Sequence, residues 1–231
     1  MTNILSDLPE AIILCGGKGE RLRPITNDVP KPLVEINDKP ILHYVIEHLK
    51  KYNIRKINIA SGYKSDVIER YFSENNYNAS IKIHDSGDVD IIKRIQNVLE
   101  DVQKDVIVLY GDTISNVDIF DLISHHRKSS KEITMTVWPL KIAYGLVEIA
   151  EGDSVESFVE KPTLDKWINI GYFYINIHYI DFIFNHNSFE SFLLDAASKN
   201  YINAYKHQGL HITINTLSEL EDAQSNIKSI I

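Results

Sequence analysis

Gly16, Gly17 and Gly19 share one short segment with Arg21, and that combination suits an anion. Glycine carries no Cβ, so the backbone N–H groups of such a loop can approach an anion closely. The planar guanidinium of Arg21 can grip phosphate oxygens as a fork. The segment leaves the apolar run Ala11-Ile12-Ile13-Leu14, which reads as a buried strand. Together these features suggest a nucleoside triphosphate cradle. Neither common glycine loop fits. The dinucleotide fingerprint needs a glycine where Leu22 stands, and the P-loop needs Gly-Lys followed by Ser or Thr after its four-residue spacer. A second point of interest is Asp112, in Tyr110-Gly111-Asp112, which follows the apolar run Val106-Ile107-Val108-Leu109. A carboxylate at the carboxyl end of a buried strand faces the crevice where open α/β sheets bind ligands. A hard oxygen there suits Mg²⁺, which binds through one or two protein oxygens plus substrate phosphates.

The stretch Gly16-Gly17-Lys18-Gly19-Glu20-Arg21-Leu22-Arg23-Pro24, followed by Pro30-Lys31-Pro32-Leu33, resembles the signature of the sugar-1-phosphate nucleotidyltransferases. Their pattern is a strand, then G-G-x-G-T/S-R-L-x-P, then P-K-P-L/M. Glu20 departs from it, standing where Thr or Ser is usual. Phe158-Val159-Glu160-Lys161-Pro162 is similar to the family's F-x-E-K-P, and Ile168-Asn169-Ile170-Gly171 to its I-N-x-G. The likeness runs from Ala11 to about Asp222. It implies an enzyme that transfers a nucleotidyl group from a nucleoside triphosphate to a sugar 1-phosphate and releases pyrophosphate, in nucleotide-sugar and surface-glycan biosynthesis. It further implies Arg21, Lys31 and Lys161 as catalytic cations, and Leu14, Gly16, Gly17 and Gly19 as part of the nucleotide site. Gly145, Glu160, Lys161 and Asn169 become sugar-phosphate contacts, and Asp112 the Mg²⁺ ligand. The family's second acid falls at Asn215, in His211-Ile212-Thr213-Ile214-Asn215-Thr216. An amide oxygen ligates Mg²⁺ without supplying negative charge, and the N-acetylglucosamine-1-phosphate uridylyltransferase branch is similar in using Asn.

The base-reading stretch departs most. Uridylyl-, thymidylyl- and guanylyltransferases of the family usually carry L-G-T-A-G/P-A there. This chain has His84-Asp85-Ser86-Gly87-Asp88-Val89-Asp90, which resembles the D-T-G-D of glucose-1-phosphate cytidylyltransferases, followed by a similar K-R helix at Lys93-Arg94. Ser61-Gly62-Tyr63-Lys64 also resembles the G-Y-K of that branch. The glycine pair that precedes the helix in that branch is missing. The resemblance therefore favours CTP, with Asp85, Ser86 and Gly87 at the nucleotide. A guanylyl- or uridylyltransferase is the alternative of the same fold. A weakly active nucleotide-sugar-binding sensor or assembly subunit is the alternative of another class, motivated by Glu20, Asn215 and the altered base loop.

Composition narrows the field further. At 231 residues, 44% hydrophobic and 24% charged, the chain is ordinary for a globular protein. It reads as a single domain over 1–231, with a nucleotide-binding part at about 10–135 and a sugar-binding part at about 136–231. The net charge is −8 with the two signs interspersed, so no basic stripe offers a nucleic-acid footprint. No apolar run approaches the roughly 20 residues that span a bilayer, and Met1 to Pro9 lacks the basic flank and apolar core of a secretory signal. The lone Cys15 fits a reducing compartment, hence a cytoplasmic protein, and reads as a small packed residue rather than a nucleophile. The expected partners are an NTP and a sugar 1-phosphate, with neither nucleic acid nor membrane; homo-oligomerisation is left open.

The positioning elements follow from periodicity. Apolar runs alternate with amphipathic helices in the first half, predicting a Rossmann-like α/β fold whose mixed, mainly parallel sheet is covered on both faces. Helices are expected over Pro40 to Tyr52 with Pro40 in the first turn, after a Ser65 cap, and along the stripe Ile91, Ile92, Ile95, Val98, Leu99 and Val102. Lys56 to Ala60 reads as a strand. The second half predicts a β-hairpin, Gly145 to Ile149 with Val155 to Glu160, and a strand from Ile170 to Ile175. A helix from Phe189 to Lys199 follows, then short strands at Tyr201 to Lys206 and Leu210 to Ile214. A last helix opens on the capping box Thr216-Leu217-Ser218-Glu219.

Overall fold

The central strand β1 (Glu10–Leu14) has Ala11, Ile12 and Ile13 wholly buried, because both faces of the sheet around it are covered. The computed structural model describes residues 8–227. Residues 1–7, read above for a leader, and 228–231, included in the expected single domain, lie outside the described residues. The remaining strands are β2 (Glu35–Ile36), β3 (Lys39–Pro40), β4 (Lys56–Ser61), β5 (Ser80–Asp85), β6 (Val106–Tyr110), β7 (Thr113–Ser115), β8 (Ile133–Lys141), β9 (Leu146–Ile149), β10 (Val155–Val159), β11 (Thr163–Ile175), β12 (Ile202–Lys206) and β13 (His211–Thr213). The helices are α1 (Ile41–Lys51), α2 (Ser65–Glu74), α3 (Ile91–Leu99), α4 (Ile119–Lys128), α5 (Ile180–Phe184), α6 (Phe189–Ser198) and α7 (Leu217–Asn226).

Seven strands form one sheet in the order β12-β8-β11-β6-β1-β4-β5. Strand β11 runs antiparallel to both its neighbours, and the other four pairings are parallel. The sheet is thus mixed and mainly parallel, as its alternating pattern predicts. Side chains that alternate along a strand divide between two layers. Ala11, Ile13, Ile107, Leu109, Tyr172 and Tyr174 pack with α1, α2 and α4. Ile12, Val106, Val108, Phe173 and Ile175 pack with α3, α5 and α6. Chain order reverses between β1 and β6, so the crevice beyond their carboxyl ends is the switch point where such sheets bind ligands.

A third apolar cluster positions the end of the chain. Leu22, Val34, Ile36, Ile41 and Tyr44, which follow the glycine loop, pack against Ile114, Ile214, Leu220 and Ala223. Helix α7 thereby docks on the segment that carries Arg21 and Lys31. Its capping box is complete: Glu219 N donates to Thr216 Oγ1 at 3.2 Å, and Glu219 Oε2 accepts from Thr216 N at 3.0 Å.

Several boundaries differ from expectation. Pro40 precedes α1 rather than sitting in its first turn, because it pairs with Glu35 in a small antiparallel ribbon. Ser65 is the first residue of α2 rather than its cap; Lys64 holds the cap position in left-handed conformation, and the Ser65 hydroxyl meets that of Ser61 at 2.7 Å. Helix α3 ends at Leu99, leaving Val102 beyond it but still in the same apolar layer. The strand expected at Ile170 to Ile175 begins at Thr163. Strands β2, β3, β5, β7 and β8 and helices α4 and α5 are additional to the elements expected.

Candidate active site

Two chain ends of the sheet meet at the switch point. Gly111 N donates to Leu14 O at 3.0 Å, which holds the start of the glycine loop against the Gly111-Asp112 turn. A Cβ on Gly111 would lie 2.7 Å from Cys15 Sγ and 2.8 Å from Leu14 O, so only glycine allows this approach. Cys15 is buried there. Burial, reinforced by the Asp112 carboxylate, pushes its thiol well above the ordinary range, which makes it a packed group and not a nucleophile. Gly19 is left-handed at φ +63°, and Thr26 Oγ1 donates to its carbonyl at 2.8 Å. The loop is thus shaped by its neighbours before any ligand arrives.

Asn215 reaches Asp112 through a short ladder. Strands β7 and β13 pair antiparallel with Thr113 opposite Thr213, and Ile214 N donates to Asp112 O at 3.4 Å. Asn215 follows at once, fixed by a 2.6 Å bond from its N–H to Glu219 Oε2. Lys31, in a single turn of 3₁₀ helix and only 9% exposed, extends into the same space. Its ammonium is paired with the Asp112 carboxylate and donates to Asn215 Oδ1 at 2.8 Å. Arg21 Nη2 donates to the same Asn215 oxygen at 3.0 Å. Four of the residues expected to do chemistry, Arg21, Lys31, Asp112 and Asn215, therefore form one connected group beside the glycine loop.

A cleft of about 580 Å³ holds this group with Gly16, Gly17 and Gly19, and a narrower cavity of about 220 Å³ adjoins it, lined by Leu14, Gly16, Tyr110 and Asp112. A larger groove of about 1100 Å³ lies elsewhere, between Val29, Arg70, Tyr71 and Leu220. It contains none of the residues expected to do chemistry, so size alone does not mark the site.

The other expected residues lie on two flanking segments. In the base loop, Asp85 Oδ1 accepts from Gly87 N at 2.9 Å, Ser86 Oγ accepts from Asn97 at 3.0 Å, and Gly87 is left-handed. Lys18 of the glycine loop is paired with Asp88 of this loop at 2.7 Å, and Lys18 holds the Asp88 carboxyl below its usual range. On the sugar side, a Cβ at Gly145 would lie 2.4 Å from the Phe158 ring and 3.2 Å from Glu160 Oε2. Asn169 Oδ1 accepts from Gly171 N at 2.8 Å, where β11 bulges and Gly171 lets the Tyr110 ring close in. Lys161 is exposed and left-handed at φ +47°. Among the described residues, neither Glu160 nor Lys161 is hydrogen-bonded to the Arg21–Lys31–Asp112–Asn215 group. Arg94, noted above only within the Lys93-Arg94 resemblance and not among the expected site residues, lines both cavities. Its signal was a charge on the inner stripe of α3, three residues after Ile91.

The family model for nucleotidyl transferases matches residues 10–216. The chain belongs to this family, in its sugar-1-phosphate branch. It is 32% identical to the glucose-1-phosphate cytidylyltransferase of Salmonella typhimurium, covering 91% of this chain and 92% of the relative. It is 34% identical to the D-glycero-alpha-D-manno-heptose 1-phosphate guanylyltransferase of Campylobacter jejuni, covering 82% and 87%. The crystal structure of HddC from Yersinia pseudotuberculosis superposes with a TM-score of 0.76 at 25% identity, over 95% of this chain and all (100%) of that one. This family membership makes the chain an enzyme of nucleotidyl transfer.

Proposed function

We propose that this member of the family transfers a cytidylyl group from CTP to a sugar 1-phosphate and releases pyrophosphate. The observation that carries the reading is the convergence of Lys31 and Arg21 on Asn215, with Asp112 opposite, beside a glycine loop. The choice of CTP rests on the base loop from Asp85 to Asp88 and on the cytidylyltransferase relatives. A phosphate monoester has a second pKa of about 6, so the nucleophile is already ionised at neutral pH and needs no general base. Repulsion between two polyanions limits the reaction, and catalysis is alignment plus charge neutralisation. Arg21 stabilises the departing pyrophosphate. Lys31 and Lys161 neutralise the incoming phosphate, and Glu160, Asn169 and Gly145 hold the sugar. Gly16, Gly17 and Gly19 offer backbone donors that need little reorganisation.

The family generally works with a divalent metal. Mg²⁺ fits the residues present: the Asp112 carboxylate and the Asn215 amide oxygen both face one point, where the Lys31 ammonium now stands in as the cation. When bound there, Mg²⁺ supplies positive charge to the α-phosphate. Lys31, which pairs with Asp112 and Asn215 here, would then be placed to neutralise substrate phosphate.

The chain is proposed to act as a single domain, with nucleotide contacts from about 10–135 and sugar contacts from about 136–231. Among the described residues no helix is long and apolar enough to cross a membrane. A buried free thiol fits a reducing compartment, so the cytoplasm is the proposed location. GTP is the second reading, supported by the Campylobacter relative and by the HddC crystal form complexed with GMP-PN. Screening four NTPs against a panel of sugar 1-phosphates, with pyrophosphate release as readout, tests both. CTP-dependent release lost in a folded Asp112→Ala variant is the expected result. Absence of release from every pair would favour a nucleotide-sugar sensor instead.

A further inference from the structure

Arg94 is an unusual core residue. It lies on the buried stripe of α3 and is 6% exposed. Its Nη2 donates to Gly87 O at 3.1 Å, while its Nε is buried with no partner. Guanidinium donors left unsatisfied in a protein interior are rare, and each calls for an explanation. The surroundings are cut to admit this group. A Cβ on Gly16 would lie 2.1 Å from Arg94 Nε, and one on Gly62 would lie 3.1 Å from Arg94 Nη2. The head group therefore runs directly beneath two backbone glycines, at the wall of the narrow cavity.

Two features argue against a phosphate as the missing acceptor. Asp85, Asp88 and Asp90 are all close enough to act electrostatically on the guanidinium, so a polyanion meets negative charge at this end. Arg21 and Lys31 gather instead at the Asp112–Asn215 end of the cleft. The narrow cavity that Arg94 lines is walled mainly by Leu14, Pro32, Ile91, Tyr110 and backbone glycine, with Lys31 and Asp112 as its other charged groups, and this largely apolar wall suits a flat neutral ring.

From this geometry we infer that Arg94 is a specificity-determining residue that reads the nucleobase, donating to neighbouring acceptors on the ring edge. The inference rests on the reading that the cavity holds the nucleotide. A donor-only guanidinium matches two neighbouring acceptors: O2 and N3 of cytosine, or O6 and N7 of guanine. It meets a mismatch on uracil, where N3–H is itself a donor beside each carbonyl, and on adenine, where N7 and N1 adjoin the amino group. Arg94 thus selects CTP or GTP against UTP and ATP, and the experiment separates the two.

The test is equilibrium binding of CTP, GTP, UTP, ATP and inorganic tripolyphosphate to the full chain and to Arg94→Gln and Arg94→Lys. Wild type is expected to favour CTP or GTP over UTP and ATP by about tenfold or more. In Arg94→Gln that preference should shrink to about threefold or less, with tripolyphosphate bound as before; Arg94→Lys should fall between. Parallel weakening of every NTP and of tripolyphosphate would make Arg94 a phosphate ligand and overturn the inference, as would an unchanged preference. Should a variant unfold, wild type can still overturn the inference. Binding of 3-deaza-CTP, which lacks the N3 acceptor, or of 7-deaza-GTP, which lacks N7, should be weaker than the parent nucleotide by about tenfold; equal binding overturns the inference. Wild type that binds and turns over all four NTPs alike refutes the role of Arg94 but leaves the proposed function standing. Wild type that binds no nucleotide refutes both.

Discussion

Lys31 Nζ donates to Asn215 Oδ1 at 2.8 Å, joining the segment after the glycine loop to the segment before the last helix. The bond depends on structure built by neither residue alone. The single 3₁₀ turn aims Lys31, and Glu219 of the capping box holds the Asn215 backbone. The amide oxygen also takes the Arg21 bond, so one neutral acceptor gathers two cations that would otherwise repel each other.

Arg21 is the simplest of these to test. Arg21→Ala removes a charged donor from the developing leaving group and is expected to lower turnover by about 10² or more. Arg21→Lys keeps the charge and loses the fork, so it should recover only part of that loss. Steady-state pyrophosphate release from the three proteins is the measurement. Equal rates would place Arg21 outside the reaction.

Gly111→Ala tests the joint between the two strand ends. Its Cβ would lie 2.7 Å from Cys15 Sγ and 2.8 Å from Leu14 O, and the second of these is backbone. Leu14 O cannot yield without moving β1. Overpacking of this kind costs about 1–3 kcal/mol, so the denaturant midpoint should fall with little change in slope. An unaltered midpoint would mean that the strand ends can separate freely.

Legibility in the sequence followed the range over which each feature acts. The glycine loop, Asp112 after its apolar strand and the Thr216 capping box are local, and their chemistry was readable residue by residue. The meeting of Asp112 with Asn215 came only through the family resemblance and not from the residues themselves, because it is made by pairing β13, expected at Leu210 to Ile214, with β7, a strand of three residues that leaves no periodic signal. Strand β8 escaped because Thr134 and Thr136 occupy wholly buried positions where the pattern calls for apolar residues. Thr134 is tolerated there by its 2.8 Å contact with His126. Strand β5 escaped for the opposite reason: it is a sheet edge, and Ser80, Lys82 and His84 give it a polar face. Arg94 sat in plain view on an apolar stripe, but a charge there is informative only once Gly16 and Gly62 are known to lie above it.

Acid stability offers a test of burial. His48 and His211 are both pushed down to about 4 by burial, and each has a ring nitrogen without a partner. A histidine held neutral in the folded state and free to protonate at about 6.5 when unfolded adds nothing to the pH dependence above that value. Below it the unfolded state gains protons first. Stability should therefore fall as pH drops from about 6.5 to about 4, by at most about 1.4 kcal/mol per pH unit for each histidine. His48→Gln and His211→Gln should each flatten the curve of unfolding free energy in that window. Identical slopes in variants and wild type would show that neither ring resists protonation.

Asn215 carries the most divided forecast. As a neutral partner to Asp112 it supplies one oxygen toward Mg²⁺ without charge. Asn215→Asp adds an anionic ligand and should tighten metal binding. Product release should slow in consequence, since a more firmly held metal retains pyrophosphate longer. The new carboxylate also draws Arg21 and Lys31 closer, because both already donate to this oxygen. At low Mg²⁺ the variant should accordingly look worse than its metal affinity suggests, and titration with Mg²⁺ should relieve that deficit. Asn215→Leu leaves no oxygen, so metal dependence should shift to higher concentration and turnover should fall together. A sensor that has abandoned catalysis predicts otherwise: wild type nearly inactive, with Asn215→Asp creating activity. Turnover measured across a Mg²⁺ series in the three proteins separates these outcomes. An identical Mg²⁺ dependence in all three would remove Asn215 from the metal site and leave it only the task of holding Arg21 and Lys31 together.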